Sequence, residues 1–306
     1  MDAAATCASS LHYCSPVGFN EIGKKSNGFL RLSQRSKGER SLQVLNVRGF
    51  RSSRTLTQRR PVAFELSCSY KNCQAPALES EKTRDSVDEL FILKTKSQDV
   101  APYMTGRCIY LVGMMGSGKT TVGKIISEVL GYSFFDSDKL VEQAAGGTSV
   151  AQIFKQYSES FFRDNESEVL RELSLMRRLV VATGGGAVIR PINWKYMKQG
   201  ITVWLDVPLE ALARRIAAVG TDSRPLLHNE SGDPYTKALL RLSTLSEERG
   251  EAYANADARV SLEHIAAKMG HRDVTNLSPI AIAIEVLVQI ENFLKSQEDM
   301  TIARNS

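Results

Sequence analysis

The segment from Gly113 to Thr120, GMMGSGKT, combines residue types and a spacing that can hold a chain of phosphates. It fits the pattern G-x-x-x-x-G-K-[ST], follows a short apolar run and precedes a helical pattern of apolar residues. Gly113 and Gly118 allow a sharp turn that brings consecutive N–H groups close to one anion. Lys119 can then reach the β- and γ-phosphates, and the Thr120 hydroxyl can ligate Mg²⁺. The motif predicts binding of a nucleoside triphosphate.

We expect the whole loop and the start of the next helix to contact that nucleotide. The positions concerned are Gly113, Met114, Met115, Gly116, Ser117, Gly118, Lys119, Thr120 and Thr121. The alternative is a glycine turn that only joins a strand to a helix. The full motif match between a strand and a helix favours the phosphate site, because such a match seldom arises by chance in that context.

Two carboxylates, Asp136 and Asp138, come directly after the second predicted strand, Ser133-Phe134-Phe135. Open parallel sheets bind ligands at the carboxyl ends of their strands. Residues two apart on extended backbone face the same way, so both carboxylates can point into that crevice. One can lie near Mg²⁺ and the other near an acceptor hydroxyl. The alternative is a helix cap and a solvated charge.

A charged pair and a glycine run offer further contacts for a ligand. Arg163 and Glu166 lie three apart on one predicted helix face, where they can form an ion pair that also aims the guanidinium at a ligand. Gly184, Gly185 and Gly186 follow a strand, expose backbone N–H groups and leave no side chains to block a ring. A simple turn needs one or two glycines, so three favour a binding surface.

The elements that position these residues alternate between apolar strands and amphipathic helices from Arg107 onward. The predicted strands end at Val112, Asp136, Ala182, Leu205 and Ser261. This alternation predicts an α/β domain at residues 107–296, with five parallel strands covered by helices on both faces and a polar tail at 297–306. The segment Val219–Asp233 is too irregular for a core element.

The first 66 residues differ in composition from the rest. Residues 1–60 contain eleven Lys or Arg and three acidic residues, a net charge of +8; the whole chain carries +5, so residues 61–306 carry −3. An Arg- and Ser-rich, acid-poor leader is typical of an organelle transit peptide, and a basic arm for anionic partners is the alternative. We expect a disordered transit peptide at 1–66, read by organelle import machinery, and a linker at 67–106 that can include a short packed helix.

Charge and hydropathy disfavour two other classes of protein. The basic pI belongs to the leader, and a net acidic remainder argues against nucleic-acid binding. No run approaches the roughly 18 apolar residues of a membrane span, so no membrane partner is expected.

Four of the five cysteines precede the fold, and we expect the fifth, Cys108, to be a small buried hydrophobe.

Six motifs occur in the order and rough spacing of one known family. They are the phosphate loop, FFDSD at 134–138, FFRDNE at 161–166, TGGGAV at 183–188, SRPLL at 223–227 and ERGEAY at 248–253. From about Arg107 to Leu294 the chain resembles shikimate kinase, and the leader resembles that of the plastid members in plants. The resemblance implies a three-layer α/β/α domain with sheet order 2-3-1-4-5 and a mobile lid. It also implies phosphorylation of the 3-hydroxyl of shikimate by ATP in chloroplast aromatic amino acid biosynthesis.

The resemblance implies roles for single residues as well. The Asp138 position binds substrate hydroxyls and acts as base or orienter, and the Asp136 position holds magnesium through water. The Arg163 and Arg249 positions bind the carboxylate of shikimate, with Glu166 in support. Among the three glycines, the Gly185 position contacts the substrate.

The lid and the nucleotide side carry the remaining assignments. Arg224, in the SRPLL motif, is expected to close over the phosphates and to share catalysis with Lys119 and Asp138. Arg214 and Arg215 are the two candidates to lie over the adenine, and Arg215 is the one that we assign, with Pro279 as a candidate opposite wall. Phe154 and Phe162 are equally well explained as walls for the carbon ring and as core residues.

Two rival functions stay open at this point. Another small-molecule kinase of the same fold, such as one for gluconate, would also meet a carboxylate and hydroxyls. A kinase-derived binding or regulatory protein would be expected to have lost Lys119, an aspartate or a substrate arginine, and none is lost. The segment Glu263–Leu277 is longer than in compact bacterial relatives, which affects the adenine side alone.

Overall fold

The computed structural model describes residues 30–32, 42–44, 79–219 and 233–305. In the leader, two short strands, Leu30–Leu32 and Leu42–Val44, pair antiparallel. The rest of the leader lies outside the described residues, so its assignment as a disordered transit peptide stays a prediction from composition.

Five parallel strands form the central sheet. In chain order they are β1 Ile109–Val112, β2 Ser133–Asp136, β3 Leu179–Ala182, β4 Ile201–Asp206 and β5 Ala258–Ser261. Their spatial order is β2-β3-β1-β4-β5, and Ile109 is in register with Val180 on one side and Ile201 on the other. The α/β class and the order 2-3-1-4-5 are confirmed. Every residue of β1 and β3 is buried, as expected for a sheet with both faces covered.

The helices described by the structure flank this sheet. Their bounds are α1 Glu79–Met104, α2 Lys119–Leu130, α3 Ser137–Ala144, α4 Val150–Gln156, α5 Glu159–Ser174, α6 Pro191–Met197, α7 Leu209–Val219, α8 Pro234–Tyr253, α9 Leu262–Lys268 and α10 Pro279–Asn305. Among these helices, none combines the length and the apolar character that a membrane crossing requires.

Short helices were the elements that sequence patterns missed. α6 begins at Pro191, and α9 is capped by Ser261, whose side chain accepts from His264 N. Each has seven residues, too few for an apolar period to stand out. α9 occupies the start of the segment read as an insertion, Glu263–Leu277, so part of that segment is a packed element.

The linker and tail assignments need correction. Residues 79–104 form one 26-residue helix, α1, rather than a tether with a short helix. α1 and α10 run parallel, because Ser278 at the start of α10 donates to Glu89 at 2.6 Å, and further along both segments Arg107, just beyond α1, donates to Gln297 at 3.2 Å. Leu93 joins the hydrophobic core, so the packed unit begins before Arg107. The polar tail from 297 continues α10 to Asn305.

The contribution of α1 can be measured with a matched pair of substitutions. Leu93 is 4% exposed and Phe91 is 73% exposed on the same helix. Leu93→Ala should lower the free energy of unfolding by about 2–5 kcal/mol, since it removes a buried side chain and leaves a cavity. Phe91→Ala should change it by about 0.5 kcal/mol or less. Urea unfolding measures the free energy of unfolding of both variants. Equal changes in the two variants would mean that α1 is not part of the core.

Candidate active site

Three of the predicted site segments lie at the carboxyl ends of neighbouring strands. β1 leads into the phosphate loop, β2 into Asp136 and α3, and β3 into the three glycines at 184–186. Because the sheet order places β3 between β2 and β1, all three loops meet at one edge. The fold therefore brings together groups that are far apart in the chain.

The phosphate loop has the backbone conformation that its glycines permit. Gly113, Gly116 and Gly118 have φ values of +145°, +81° and +93°. A Cβ on Gly113 would also lie 2.7 Å from the carbonyl oxygen of Leu205. These positions require glycine for conformation, and position 113 requires it for space as well.

Lys119 lies across this loop. Its Nζ donates to the carbonyl oxygens of Gly113 and Met114 at 2.8 Å each and to the Ser117 hydroxyl at 3.2 Å. The side chain is only 8% exposed, so the ammonium is held at the loop that the motif assigns to phosphates. Met114 packs its own side chain into the core, which leaves its backbone as the part available to a ligand.

A pair of oxygen ligands stands beside the loop. The Thr120 hydroxyl donates to Asp136 Oδ2 at 2.9 Å. Asp136 Oδ1 accepts from Lys139 N at 3.4 Å and so caps α3, which means that the cap interpretation is correct but incomplete. A hydroxyl and a carboxylate are ligands that Mg²⁺ accepts, with waters and phosphates supplying the others. The described residues include no cluster of three or more His, Cys, Asp or Glu side chains that could hold a metal ion.

Arg163 and Glu166 form the predicted ion pair in the interior. Arg163 Nη1 donates to Glu166 Oε2 at 2.9 Å, and its Nη2 donates to Glu159 Oε1 at 3.1 Å. Glu166 is fully buried and Arg163 is 7% exposed. The guanidinium also lies over the rings of Phe154 and Phe162, at 6.0 and 5.3 Å from their centroids. α5 therefore holds the arginine rigidly from two sides.

The glycines beyond β3 make room for these charged groups. A Cβ on Gly184 would lie 2.4 Å from Asp138 Oδ1 and 2.7 Å from Glu166 Oε1. A Cβ on Gly186 would lie 2.3 Å from Arg163 Nη2. The sequence suggested that these glycines leave space for a ligand; in the structure they first leave space for the site's own side chains.

Burial dominates the electrostatics of the acidic groups. It raises the pKa of Asp138 to about 7, with repulsion from Glu166 and Asp136 adding to the effect and Lys119 opposing it. Burial also raises the pKa of Glu166, against the lowering influence of Arg163. Asp138 Oδ1 and Glu166 Oε1 are buried without a hydrogen-bond partner among the described residues. A carboxyl with a pKa near 7 is suited to accept a proton from a hydroxyl.

Arg249 enters the same site from α8. It is 4% exposed, and its Nη1 donates to the carbonyl oxygen of Gly185 at 3.3 Å. Burial lowers its pKa, and the nearby Arg163 lowers it further. Its Nε is buried without a hydrogen-bond partner among the described residues. Two buried arginines that lie near each other, one of them with an Nε that has no partner among the described residues, are suited to bind an anion.

Two positioning residues escaped the sequence analysis. Ser137, between the two aspartates, accepts from Gly184 N at 3.0 Å. Tyr253 donates to the carbonyl oxygen of Gly185 at 2.6 Å and stacks on Trp204 at 5.8 Å between ring centroids. Tyr253 was visible in the ERGEAY motif, four residues after Arg249 on one helix face. Ser137 gave no separate signal.

The nucleotide-side predictions have mixed outcomes. Arg215 Nη1 donates to the carbonyl oxygen of Gly116 at 3.1 Å, which places it against the phosphate loop. Arg214, the other candidate, pairs with Asp273 at 2.9 Å. Arg224 and the lid lie in 220–232, outside the described residues. Contacts with adenine stay a prediction.

Fold and site together define a P-loop phosphotransferase for a small anionic acceptor. The family profile described as shikimate kinase matches residues 115–288. Over 303 residues the chain is 54% identical to "Shikimate kinase 1, chloroplastic" of Arabidopsis thaliana, covering 99% of this chain and 98% of that protein. It is 69% identical over 231 residues to "Shikimate kinase 3, chloroplastic" of Oryza sativa subsp. japonica, covering 76% and 79%.

Among solved structures, a shikimate kinase from Acinetobacter baumannii in complex with shikimate matches with a TM-score of 0.51 and 34% identity. It covers 62% of this chain and 94% of that one. The chain belongs to the shikimate kinase family.

The role of Gly186 can be tested by adding one methyl group. Gly186→Ala should displace the Arg163 guanidinium, because the new Cβ would overlap it. We expect the KM for the acceptor to rise about 10-fold or more, since a charge-assisted bond is lost, with a smaller change in kcat. Gly250→Ala on α8 is the control, because nothing lies within 4 Å of that Cβ. Unchanged acceptor KM in Gly186→Ala would contradict the assigned crowding.

Asp138 should make stability depend on pH in the metal-free protein. Its folded pKa of about 7 exceeds the ordinary value of 3.8, so the folded state holds the proton more tightly and loses stability as pH rises between those values. In EDTA, Asp138→Asn should therefore gain stability over wild type as pH rises, by roughly 1–4 kcal/mol above about pH 7. Thermal unfolding across that range measures it. Asp164→Asn, with a 68% exposed side chain, is the control and should show no such gain.

Proposed function

We propose that the chain transfers the γ-phosphoryl group of ATP to the 3-hydroxyl of shikimate, giving shikimate 3-phosphate and ADP in aromatic amino acid biosynthesis. The observation that carries the proposal is the pair of buried arginines, Arg163 and Arg249, which face Asp138 across a glycine surface beside the phosphate loop. Arginines suit the acceptor's carboxylate, and the aspartate suits its hydroxyl. The A. baumannii relative, solved with shikimate, supports this choice of acceptor.

The residues divide the work of phosphoryl transfer. Asp138 accepts or orients the hydroxyl proton while the hydroxyl oxygen bonds to the γ-phosphorus and the bond to the β-phosphate oxygen breaks, so that ADP leaves. Lys119 and the lid residue Arg224 balance charge on the transferring group. The loop N–H groups of 113–121 hold the phosphates, and Arg215 supports the nucleotide from α7.

Magnesium fits the residues beside the loop. Thr120 would ligate the ion directly, and Asp136 would hold it through water. When bound, Mg²⁺ would neutralise charge on the β- and γ-phosphate oxygens. The 2.9 Å contact between the two side chains supports this assignment, because it brings two hard oxygen ligands to one point.

A coupled assay of ADP release with shikimate, gluconate or no acceptor tests the proposed reaction. We expect turnover with shikimate alone. Turnover with gluconate alone would identify the rival kinase of this fold. ATP binding with no turnover for either acceptor would support the non-catalytic alternative.

The leader fits import into plastids. The proposal rests on its basic, Ser-rich composition and on the relatives named as chloroplastic, one of which matches nearly the whole chain. The import machinery is then the partner of the leader, and the enzyme acts in the chloroplast.

The substrate arginines and the lid arginine should differ in kinetics. Arg163 and Arg249 are proposed to grip the carboxylate in ground and transition states alike, so Arg→Ala should raise the acceptor KM about 10- to 150-fold. Arg→Lys should recover only part, because an ammonium lacks the two-pronged pairing. Arg224 is proposed to meet charge only in the closed, reacting state, so Arg224→Ala should mainly lower kcat. Steady-state kinetics at saturating ATP measure kcat and the acceptor KM of each variant. If the Arg163, Arg249 and Arg224 variants all change the same constant, these roles are refuted.

The leader should direct import and be dispensable for catalysis. A fluorescent protein fused to residues 1–75 should accumulate in plastids, and a chain that begins at Ala75, before α1, should match the kcat of the longer form. Confocal imaging and the coupled assay measure the two outcomes. A cytosolic signal, or loss of turnover in a folded shortened chain, would each count against the transit assignment.

A further inference from the structure

The two carboxylate partners of Arg163 on α5 differ in burial. Glu166 Oε2 accepts from Nη1 at 2.9 Å, and the Glu166 side chain is 0% exposed. Glu159 Oε1 accepts from both Nε at 3.3 Å and Nη2 at 3.1 Å, and the Glu159 side chain is 53% exposed. Carboxylates of the protein itself therefore engage all three guanidinium nitrogens.

This bonding conflicts with the role proposed for Arg163. A two-pronged pairing with the carboxylate of an acceptor needs two guanidinium nitrogens. Nη1 is bonded to the buried Glu166, and the guanidinium packs against Gly186, where an added Cβ would lie 2.3 Å from Nη2 and 2.6 Å from Nη1. The Nε–Nη2 edge is the edge whose partner is exposed to water. A carboxylate that uses this edge has to displace Glu159.

Glu159 is the partner that can be released at small cost. The charge of an exposed carboxylate is rehydrated when its pair opens, whereas opening a buried pair leaves an uncompensated charge. Glu159 is also the first residue of α5, whose N-cap, Ser158, accepts from Phe161 N at 3.1 Å. The partial positive charge of the helix N-terminus favours an anion there. The released carboxylate therefore keeps a favourable position.

The charge of Glu159 acts on the second buried arginine as well. Burial lowers the pKa of Arg249, and Glu159 is among the nearby groups that oppose this lowering. Burial also acts to lower the pKa of Arg163, but the pairs with Glu166 and Glu159 outweigh it and raise that pKa. Glu159 thus supplies negative charge to both arginines that are proposed to bind the acceptor's carboxylate.

We propose that Glu159 is an internal substitute for the acceptor's carboxylate, which occupies the Nε–Nη2 edge of Arg163 and gives up this edge when the acceptor binds. The inference rests on the proposed function, in which Arg163 binds that carboxylate. Glu159 then sets the affinity by competition rather than by contact with the acceptor. Only an anion that gains further contacts, such as those proposed to Asp138 and Arg249, displaces it.

Titration calorimetry of the full chain with shikimate tests the sign of this effect. Glu159→Gln should tighten shikimate about 3- to 10-fold, because a neutral amide competes less well for the guanidinium. A residue that merely supports Arg163 would give the opposite sign, since its loss would misplace the arginine. Unchanged or weaker binding of shikimate in Glu159→Gln would overturn the proposal. A wild-type chain that binds no shikimate would refute the proposed function, and this inference with it.

Asp164→Asn is the matched control for the loss of one negative charge. Asp164 lies on the same helix, has a 68% exposed side chain and pairs with Arg190. Its substitution should change the Kd of shikimate by less than about 2-fold. Equal tightening in Asp164→Asn and Glu159→Gln would reveal a general charge effect and overturn the proposed competition.

Two further measurements assign the effect to Arg163. In an Arg163→Gln background, Glu159→Gln should no longer tighten shikimate, because the contested edge is gone. Methyl shikimate, a neutral ester, should bind the wild type and Glu159→Gln with affinities that agree within about 2-fold, because it brings no carboxylate to compete. Tightening that persists in the double variant, or that extends equally to the ester, would refute competition for Arg163.

Discussion

The buried Arg163–Glu166 pair can form only because the strand beside it ends in residues without side chains. A charged pair in the interior is tolerated when its geometry is good and its remaining valences are met, and removing one partner leaves an uncompensated charge. Gly184 and Gly186 allow that geometry by leaving room for Asp138, Glu166 and Arg163. The raised pKa of Asp138 and the fixed direction of the arginine both depend on this close approach.

Without a ligand, the two buried arginines of the site differ in how fully they are bonded. This difference affects which acceptors the site selects. Arg163 is paired twice by glutamates, whereas Arg249 donates a long bond to a carbonyl and has a buried Nε with no hydrogen-bond partner among the described residues. Under the proposed function, the carboxylate of the acceptor completes the bonding of Arg249. A neutral analogue leaves the buried Arg249 cation without a negative partner. A site of this kind therefore discriminates against neutral analogues in kcat/KM by a larger factor than a hydrophobic pocket can.

Elements that local residue patterns specify were predicted from the sequence. Elements that depend on contacts with distant parts of the chain were missed. The strands that end at Ala182 and Ser261 were placed correctly, because each is a short segment between clear breaks in the helical pattern. α1 was read as a tether because its three most buried apolar residues, Leu93, Val100 and Met104, are spread among charges and pack on a helix almost 200 residues later.

The same distinction between local patterns and distant contacts applies to the site residues. Lys119, Asp138, Arg163 and Arg249 belong to motifs, and the structure brings them to one edge of the sheet. The support given by Ser137 and Tyr253 depends on which backbone groups lie opposite them, and spacing in the sequence does not specify that. The role of Arg224 rests on resemblance alone.

The parallel pairing of α1 and α10 sets the order in which the domain can be completed. During synthesis or import, α1 emerges before α10, so its buried apolar residues lack their main partner until the last helix, Pro279–Asn305, is also free. A contact of such high sequence separation forms late, because chain closure must precede it. Until then the apolar residues of α1 are incompletely covered, and transiently exposed apolar surface of this kind favours aggregation. A chain that ends before α10 would keep every site residue and still be unable to close its core.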